Sequence, residues 1–420
     1  MKRYESYKDS GVGWIGEIPS HWAKCRAKFM FTKEKREVRD CDEVITCFRD
    51  GQVTLRKNRR ITGFTESLNE IGYQGIRKGD LVIHQMDAFA GSIGVSDSDG
   101  KGTSVYHCCT PKGKYNTMYY AHLLRIMAQS GYIQSLYRGI RERSSDFKFP
   151  VFGNQVLIIP PFFEQQAIVN YLKDKTLKIE QYVYERERER EQFDSLKQSE
   201  IANAVTKGLN PNVRMKDSGI PWIGMIPEHW EVKRLKNYVS LVTETSDSSF
   251  KIGLENIESF TGKYIKTDTD YDGNGIAVEI GDLVYGKLRP YLCKAWIATF
   301  PCNAVGDFYV FRVKGNISMQ YIHKLFLSPQ VTGICNASTY GARMPRVSSS
   351  FMLNLSVPIP PLSEQQAIVD YIEAKLSKID SCMADLQAEI DYLKEFKQRL
   401  ISDVVTGQIC VAEPQKEERQ

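Results

Sequence analysis

The sequence predicts an α+β protein in which two mixed α/β bodies alternate with two long helices that form an antiparallel coiled coil, with a pseudo-twofold internal repeat. The first observation is a duplicated helix start: Pro160–Val169 recurs at Pro360–Val369, and twelve of the 21 positions in 160–180 match those in 360–380. The second is a duplicated segment before each body, and the third is a sustained apolar stripe after each helix start. A repeat of about 200 residues exceeds solenoid periods and therefore indicates two copies of a domain-sized unit.

The segment that precedes each body is also repeated. Lys8–Trp22 recurs at Lys216–Trp230 with eleven of fifteen positions identical. Its glycines formally fit a dinucleotide fingerprint, but polar residues precede them, Pro19 follows them and Pro221 occupies a middle slot in the second copy, which disfavours nucleotide binding. We expect an apolar clasp at the edge of each body, in which His21 and His229 form structural hydrogen bonds. A ligand or catalytic role for these histidines is the alternative.

Each body combines short β-type runs with one helical stretch. In the first, 81–83 and 156–159 predict strands and 119–136 predicts a helix; in the second, 283–284, 308–311 and 357–359 predict strands and 317–327 a helix. Little identity remains between these landmarks, so we expect shared scaffolds with diverged surfaces. The predicted domains are 1–160 with the amino-terminal clasp, the first spacer helix 161–208, the second body 209–360, the second spacer helix 361–408 and a disordered tail 409–420.

The apolar stripe of the second long helix follows a 4,3 spacing, which is typical of a coiled-coil seam. In the first helix the stripe is interrupted by the alternating charges of 185–191, which indicate either a solvated face or a contact with a partner subunit. Gly208 and Gly407 predict the helix ends. Each helix would be roughly 65 Å long, and antiparallel pairing would place one body at each end.

Composition limits the function classes. The net charge of +5 is mildly basic and permits a polyanionic partner without requiring one. The sequence has neither an apolar run of about 18 residues nor a signal peptide, so we expect a cytoplasmic protein. The ten cysteines are dispersed without a Cys-x-x-Cys pair, which favours free thiols in a reducing compartment.

Basic side chains cluster at several places in the two bodies. Such clusters can neutralise phosphates, and arginine or asparagine can reach base edges, although a solvated loop is the alternative for each. The predicted DNA-binding residues are Arg49, Arg56, Lys57, Asn58, Arg59 and Arg60, then Arg138, Arg141 and Arg143 in the first body, and Lys287, Arg289, Tyr291, Lys294, Tyr340, Arg343 and Arg346 in the second.

Catalytic signatures are weak. Pro160-Pro161-Phe162 resembles part of an amino-methyltransferase motif, but Ile159 occupies the slot that needs a polar side chain. Neither a Walker A motif nor a convincing S-adenosylmethionine loop is recognisable. His107-Cys108-Cys109 could suggest a nucleophile or a metal site, yet adjacent cysteines point to opposite sides of a strand, and we expect a structural role. The sequence therefore predicts no enzyme, no metal site and no cofactor in this chain.

The order of body, Pro-Pro-x-x-Glu-Gln-Gln-Ala-Ile-Val helix, Trp-Ile-Gly-x-Ile-Pro-x-His-Trp segment, second body and second helix resembles the specificity (S) subunit of type I restriction-modification systems. The resemblance covers about Tyr4 to Val411, and Gly281–Pro290 resembles a segment of that family's target recognition domains. The counterpart at Gly79–Met86 lacks the Lys-Leu-Arg-Pro run. Contacts predicted there for the first body are correspondingly weaker.

The resemblance implies that each body is a target recognition domain that reads one half of a bipartite, asymmetric DNA site. The helices would separate the bodies and dock two methyltransferase subunits and, beyond them, restriction subunits, with S-adenosylmethionine, ATP and Mg in those partners. A coiled-coil interaction protein with non-DNA ligands is the alternative. The residues predicted for the spacer and partner helices are Glu164, Gln165, Gln166, Ile168, Leu172, Ile179, Glu364, Gln365, Gln366, Ile368, Ile372, Leu376, Ile379, Met383, Leu386, Ile390 and Leu393.

Overall fold

A computed structural model describes residues 2–59, 72–136, 147–246 and 250–412. Contacts divide the chain into two units. Unit 1 comprises 1–184 and 390–420, and unit 2 comprises 185–389. Each unit therefore contains one body together with a stretch of each long helix.

Unit 1 contains short strands and helices around one core. Its elements are β1 Tyr7–Asp9, β2 Glu17–Pro19, β3 Ala23–Arg26, α1 Ala27–Met30, β4 Phe31–Glu34, β5 Ile45–Cys47, β6 Val53–Leu55, β7 Gln74–Ile76, β8 Leu81–His84, β9 Ile93–Val95, β10 Gly100–Gly102, β11 Tyr106–Pro111, α2 Thr117–Gln129, α3 Tyr132–Ser135, α4 Phe149–Asn154 and β12 Val156–Ile159, followed by the start of α5 Phe162–Lys207. The helix predicted over 119–136 is thus two helices, because Gly131 adopts a left-handed conformation between them.

Unit 2 repeats this order. Its elements are β13 Met215–Asp217, β14 Met225–Pro227, β15 Glu231–Arg234, β16 Val239–Val242, β17 Thr245–Ser246, β18 Lys251–Ile252, β19 Gly275–Val278, β20 Leu283–Gly286, β21 Ala295–Ile297, β22 Cys302–Ala304, β23 Phe308–Val313, α6 Met319–Phe326, α7 Pro329–Ala337, α8 Ser349–Asn354 and β24 Ser356–Ile359, followed by the start of α9 Leu362–Val405. The strands predicted from the apolar runs of both bodies are confirmed.

Corresponding strands form the central sheet of each body. The order is β4-β11-β8-β9 in unit 1 and β16-β23-β20-β21 in unit 2, and every neighbouring pair is antiparallel. Apolar residues of α2 and α6 pack into the core beside these sheets. Unit 2 also has a second four-stranded sheet, β17-β19-β22-β18.

The first and last strands of each body pair with each other just before the long helix begins. β3 pairs with β12, so that Ala23 lies opposite Ile159, and β15 pairs with β24 in the same way, with Glu231 opposite Ile359. The two prolines that follow cannot donate ladder hydrogen bonds and so end the strand. The start of the long helix is thereby fixed to the edge of its body.

Stretches of both long helices pack in each unit. The core of unit 1 includes Ile168 and Leu172 of α5 with Leu400 and Val404 of α9, and the core of unit 2 includes matching residues from the opposite ends of the same helices. The left-handed Gly208 directly follows α5, and the left-handed Gly407 follows α9 after one residue, as predicted. Within the described ranges, none of the helices is long and apolar enough to cross a membrane.

Candidate nucleic-acid interface

Two segments that are distant in the sequence meet in unit 2. Backbone hydrogen bonds in both directions join the turn after β20 to the segment before α8. Arg289 N donates to the Pro345 carbonyl at 2.7 Å, and Val347 N donates to the Lys287 carbonyl at 3.1 Å. Tyr340 and Arg346 close a small hairpin through two mutual backbone hydrogen bonds of 3.0 Å. The two basic sets predicted separately for this body, 287–291 and 340–346, therefore belong to one structural feature.

The turn itself has an unusual backbone. Arg289 and Cys293 adopt positive φ angles of 50° and 47°, a region that non-glycine residues rarely occupy. They flank a short 3-10 turn that begins with Pro290. Arg289 and Tyr291 are exposed, as are Tyr340 and Arg343 of the facing hairpin. Non-glycine residues in such sparsely populated backbone regions cluster at functional sites.

Arg346 differs from these exposed neighbours because it is held by a carboxylate. Its Nε and Nη2 donate to the two oxygens of Asp307 at 2.9 and 2.8 Å. Lys287 Nζ lies 3.9 Å from the same carboxylate and stacks over the Tyr309 ring. The hydrogen bonds and charge of Arg346 lower the pKa of Asp307, so this carboxylate stays ionised near neutral pH.

Lys294 has a different role. Its Nζ donates to the Leu254 carbonyl at 2.7 Å in a half-buried position, and burial lowers the pKa of the lysine. Its ammonium group therefore stabilises the fold of the body and is less available for a phosphate than those of the exposed candidates.

The described basic residues predicted for unit 1 lie within or directly after the β5-β6 hairpin, where most of them form ion pairs. Arg59 stacks on the Phe48 ring at 4.3 Å and donates to Asp50, Arg49 pairs with Asp87 at 3.1 Å, and Lys57 pairs with Glu43. Arg56 Nε approaches the Thr46 hydroxyl, and Asn58 donates to Thr54. These contacts hold the side chains in place while leaving most of the cations on the surface. Arg60, Arg138, Arg141 and Arg143 lie outside the described residues.

The predicted clasp is confirmed in both units. Glu164 accepts hydrogen bonds from Trp22 Nε1 at 2.9 Å and Tyr4 at 2.8 Å, and its other oxygen lies 2.6 Å from His21. Glu364 makes the same contacts with His229 and Trp230. The first acidic residue of each long helix therefore fixes the clasp segment, and the two histidines are structural.

The glutamines that follow also divide into inward and outward positions. Buried Gln165 accepts from Asn116 N and donates to the Pro160 carbonyl, and Gln365 bonds to Ser318 N and the Pro360 carbonyl with the same distances of 2.8 Å. Gln166 and Gln366 are exposed. Most of the apolar stripe is buried; its fully or largely buried members are Ile168, Leu172, Ile179, Ile368, Ile372, Ile379, Leu386 and Ile390, with Leu376, Met383 and Leu393 half-buried.

The residues of β11 considered as a possible nucleophile or metal site, His107, Cys108 and Cys109, are buried in the core. Cys108 and Cys109 are buried, and burial raises the pKa of the Cys108 thiol to about 12. His107 Nε2 lies 3.2 Å from the Phe147 carbonyl. A thiol that resists ionisation is a poor nucleophile. Across the described ranges, no group of three His, Cys, Asp or Glu side chains could hold a metal ion.

Asp307 and Tyr309 are not among the residues predicted from the sequence. Asp307 directly precedes β23 and Tyr309 lies within it, and they contact Arg346 and Lys287, whose distances in sequence hide the relation. One signal was present: the Gly306-Asp307 pair before a strong strand repeats the Gly-Asp pairs at 79–80 and 281–282. Those pairs also place a carboxylate where an arginine can reach it.

Comparisons with known proteins agree with this architecture. The family described as "Type I restriction modification DNA specificity domain" matches residues 227–392. The putative type I restriction enzyme MjaX specificity subunit of Methanocaldococcus jannaschii is 22% identical over 94% of this chain and 96% of its own length. The EcoDI specificity subunit of Escherichia coli is 23% identical over 44% of this chain, and the match spans only 43% of that relative.

Solved structures show the same fold. A chain from a study of complex assembly and conformational transition of the type I R-M system superposes with a TM-score of 0.70, 15% identity and coverage of 93% of this chain and 99% of that chain. The HsdS subunit of Thermoanaerobacter tengcongensis gives a TM-score of 0.54, with 15% identity and coverage of 93% and 98%. Residues 227–392 thus match the DNA specificity domain of type I restriction-modification systems, and almost the whole chain is similar in sequence and fold to specificity subunits of those systems.

Proposed function

We propose that this chain is a non-catalytic subunit that reads a bipartite, asymmetric DNA target, with one body for each half-site. The observation that carries the proposal is the meeting in unit 2 of the 287–291 turn with the 340–346 hairpin. In this arrangement Lys287 and Arg346 contact a single carboxylate, Asp307. The exposed Arg289 and Arg343 lie on the same turn and hairpin. Cations contribute affinity through phosphates, and exposed aromatic and planar polar groups can reach base edges.

The asymmetry of the target follows from the differences between equivalent surfaces. Position 287 of unit 2 corresponds to Gln85 of unit 1, and Arg289 corresponds to Asp87. An acidic residue and a basic residue at the same place cannot favour the same DNA contact. The two half-sites are therefore expected to differ in sequence.

The long helices would serve as the spacer in the form of an antiparallel coiled coil. Contacts inside unit 2 support this pairing, since Arg186 contacts Glu389, Lys197 contacts Asp380 and Glu200 accepts from Tyr371, so rising numbers on α5 meet falling numbers on α9. Half-sites on one face of B-DNA lie about 34 Å apart or at a multiple of that distance. The exposed faces of the helices would dock two methyltransferase subunits and, through them, restriction subunits, which would hold S-adenosylmethionine, ATP and Mg.

Methylome sequencing of a host that carries this chain with its methyltransferase tests the proposal directly. We expect one interrupted motif with two different halves. The Arg343→Gln variant removes one cation from unit 2 and should lower methylation at the motif without changing the sequence of either half. Lys314→Gln is the matched control, because it removes the same charge at the opposite end of β23, about 20 Å from Asp307.

Binding measurements separate the proposal from its alternative. With the methyltransferase present, steep salt dependence and a preference for the motif over random duplex are expected. An uninterrupted site with identical halves would contradict the bipartite arrangement. No affinity for DNA in the complex would instead favour an interaction protein with other ligands.

A further inference from the structure

The described residues of unit 2 include two bidentate arginine–aspartate pairs, and the first belongs to the scaffold. Arg312 on β23 donates to both oxygens of Asp282 at 2.9 and 2.7 Å. The equivalent carboxylate of unit 1, Asp80, accepts hydrogen bonds from Nη1 and Nη2 of Arg36. Both carboxylates are buried and precede equivalent central strands. A pair that recurs in two bodies with different surfaces stabilises what those bodies share.

The second pair, Arg346 with Asp307, has no such counterpart among the described residues of unit 1. Lys287 N donates to the Asp307 carbonyl at 2.9 Å, and in unit 1 Gln85 N donates to the Val105 carbonyl at 3.0 Å. The same backbone position thus carries a carboxylate in unit 2 and an isopropyl group in unit 1. Asp307 therefore belongs to the part of the body that has diverged.

The backbone around Arg346 is fixed from two sides. Arg346 exchanges two hydrogen bonds with Tyr340 across the small hairpin and forms an isolated bridge with Leu288 of the facing turn. Its side chain is 31% exposed and that of Asp307 is 21% exposed, so the pair lies at the edge of the surface. Because the backbone of Arg346 is fixed by the hairpin and its guanidinium group by Asp307, the side chain loses little rotational freedom on binding.

The hydrogen-bond donors of Arg346 are only partly used. A guanidinium group has five N–H donors in one plane. Asp307 accepts from Nε and from one hydrogen of Nη2, which leaves the Nη1 hydrogens and the second Nη2 hydrogen for another partner. These remaining donors form the end-on fork that matches O6 and N7 of guanine in the major groove. A phosphate would not need this orientation, because charge alone attracts it.

We infer that Arg346 reads a guanine in the half-site bound by unit 2, and that Asp307 is the residue that positions it. The inference rests on the proposed function, which it deepens by naming the base class. Arg343, on the exposed part of the same hairpin, is assigned to a phosphate. The neighbouring arginines are thus expected to differ in what their loss does to base preference.

The test uses the chain assembled with its methyltransferase and a set of duplexes in which each G·C pair of the second half-site is replaced in turn. The unsubstituted complex should discriminate against replacement of one guanine by roughly ten- to a hundredfold. Arg346→Lys keeps the charge and the ion pair with Asp307 but removes the planar fork, so it should lose that discrimination at the same base pair and nowhere else. Asp307→Asn should lose part of it at the same base pair.

Two further variants distinguish positioning from a purely structural role. Adding Asp307→Asn to Arg346→Lys should change base preference no further, since the first residue acts through the second. Arg343→Gln should lower binding to all duplexes alike and reduce the slope of log affinity against log salt by about one contact. Thermal melting of each variant checks folding, and if Asp307→Asn does not fold, Arg346→Lys decides alone.

The inference is overturned if Arg346→Lys and Asp307→Asn keep the original preference at every G·C pair, or if the half-site read by unit 2 contains no G·C pair. Neither result affects the proposed function. That proposal fails separately, if the unsubstituted complex shows no preference for any DNA sequence.

Discussion

The turn after the central strand β8 in unit 1 and the turn after β20 in unit 2 occupy the same place but carry opposite charges. Both are fixed by the same backbone hydrogen bonds: Phe147 N donates to the Gln85 carbonyl at 2.9 Å, and Val347 N donates to the Lys287 carbonyl at 3.1 Å. Asp87 then pairs with Arg49 in unit 1, whereas Arg289 is exposed in unit 2.

This difference shows how the scaffold tolerates divergence. The bonds that hold each turn run between backbone atoms, so they do not depend on which side chains the turn carries. The side chains are therefore free to change with the ligand. The positions that do not change are those where a side chain is part of the scaffold, such as Asp80 and Asp282 before the central strands.

A second comparison concerns the turn that contacts α2 in unit 1 and the turn that contacts α6 in unit 2. Gly51 and Gly262 each have a positive φ, of 89° and 67°. A Cβ added to Gly51 would meet the guanidinium of Arg125 at 2.6 Å, whereas at Gly262 it would meet the Ala295 carbonyl oxygen at 2.3 Å and His323 Nε2 at 2.4 Å. At Gly51 the clashing atoms belong to the end of a long side chain, whereas at Gly262 they include a backbone carbonyl of β21.

Replacing these glycines with alanine should therefore have unequal effects. We expect Gly262→Ala to lower the free energy of unfolding by about 3 kcal/mol, because the left-handed backbone disfavours Cβ and the Ala295 carbonyl cannot move without disturbing its strand. Gly51→Ala should cost about 1 kcal/mol, since Arg125 can rotate away. Urea unfolding of the full chain measures both. An equal decrease in the free energy of unfolding for both variants would show that the clash with the Ala295 carbonyl does not contribute.

A buried histidine in α6 of unit 2, which has a counterpart in α2 of unit 1, provides a test with pH. Burial lowers the pKa of His323 to about 4, and Nε2 lies 2.9 Å from the Ala295 carbonyl. The unfolded chain binds this proton below its ordinary pKa of about 6.5 while the folded protein does not. The stabilisation is therefore complete above about pH 6.5 and is lost as pH falls toward 4.

When the pH is lowered from 7 to 5, His323 alone should lower the free energy of unfolding by about 2 kcal/mol. His323→Gln keeps a hydrogen-bond donor and should reduce the pH dependence by that amount. Burial also lowers the pKa of His122 in unit 1 to about 4, so His122→Gln is the matched variant and should have a similar effect. Urea titrations at the two pH values provide the measurement; an unchanged slope for His323→Gln would contradict it.

Repeated motifs and periodic stripes made much of the fold predictable from the sequence. The long helices, their glycine ends and the strands that frame each body depend on local signals such as Pro160-Pro161 and the left-handed Gly208. The break at Gly131 was missed because the apolar spacing continues across it, and only the backbone conformation separates α2 from α3.

The candidate site was less predictable for a physical reason. A basic cluster in the sequence does not reveal which cation is bound to the protein itself. Lys294 is bonded to the Leu254 carbonyl and Arg346 to Asp307, and these partners lie about 40 positions away. Contacts of this kind depend on how strands pair, which single-residue properties do not encode.

The smallest expected difference concerns the clasp. Trp22→Phe removes a hydrogen-bond donor to Glu164, and Trp230→Phe removes the equivalent donor to Glu364. Both substitutions reduce the side-chain volume by the same amount. The side chain of Glu164 is 4% exposed and that of Glu364 is 40% exposed. Water can replace the lost hydrogen bond at Glu364 but not readily at Glu164. We expect Trp22→Phe to cost about 1 kcal/mol more than Trp230→Phe in urea unfolding, and equal costs would mean that Tyr4 and His21 suffice to satisfy the buried carboxylate.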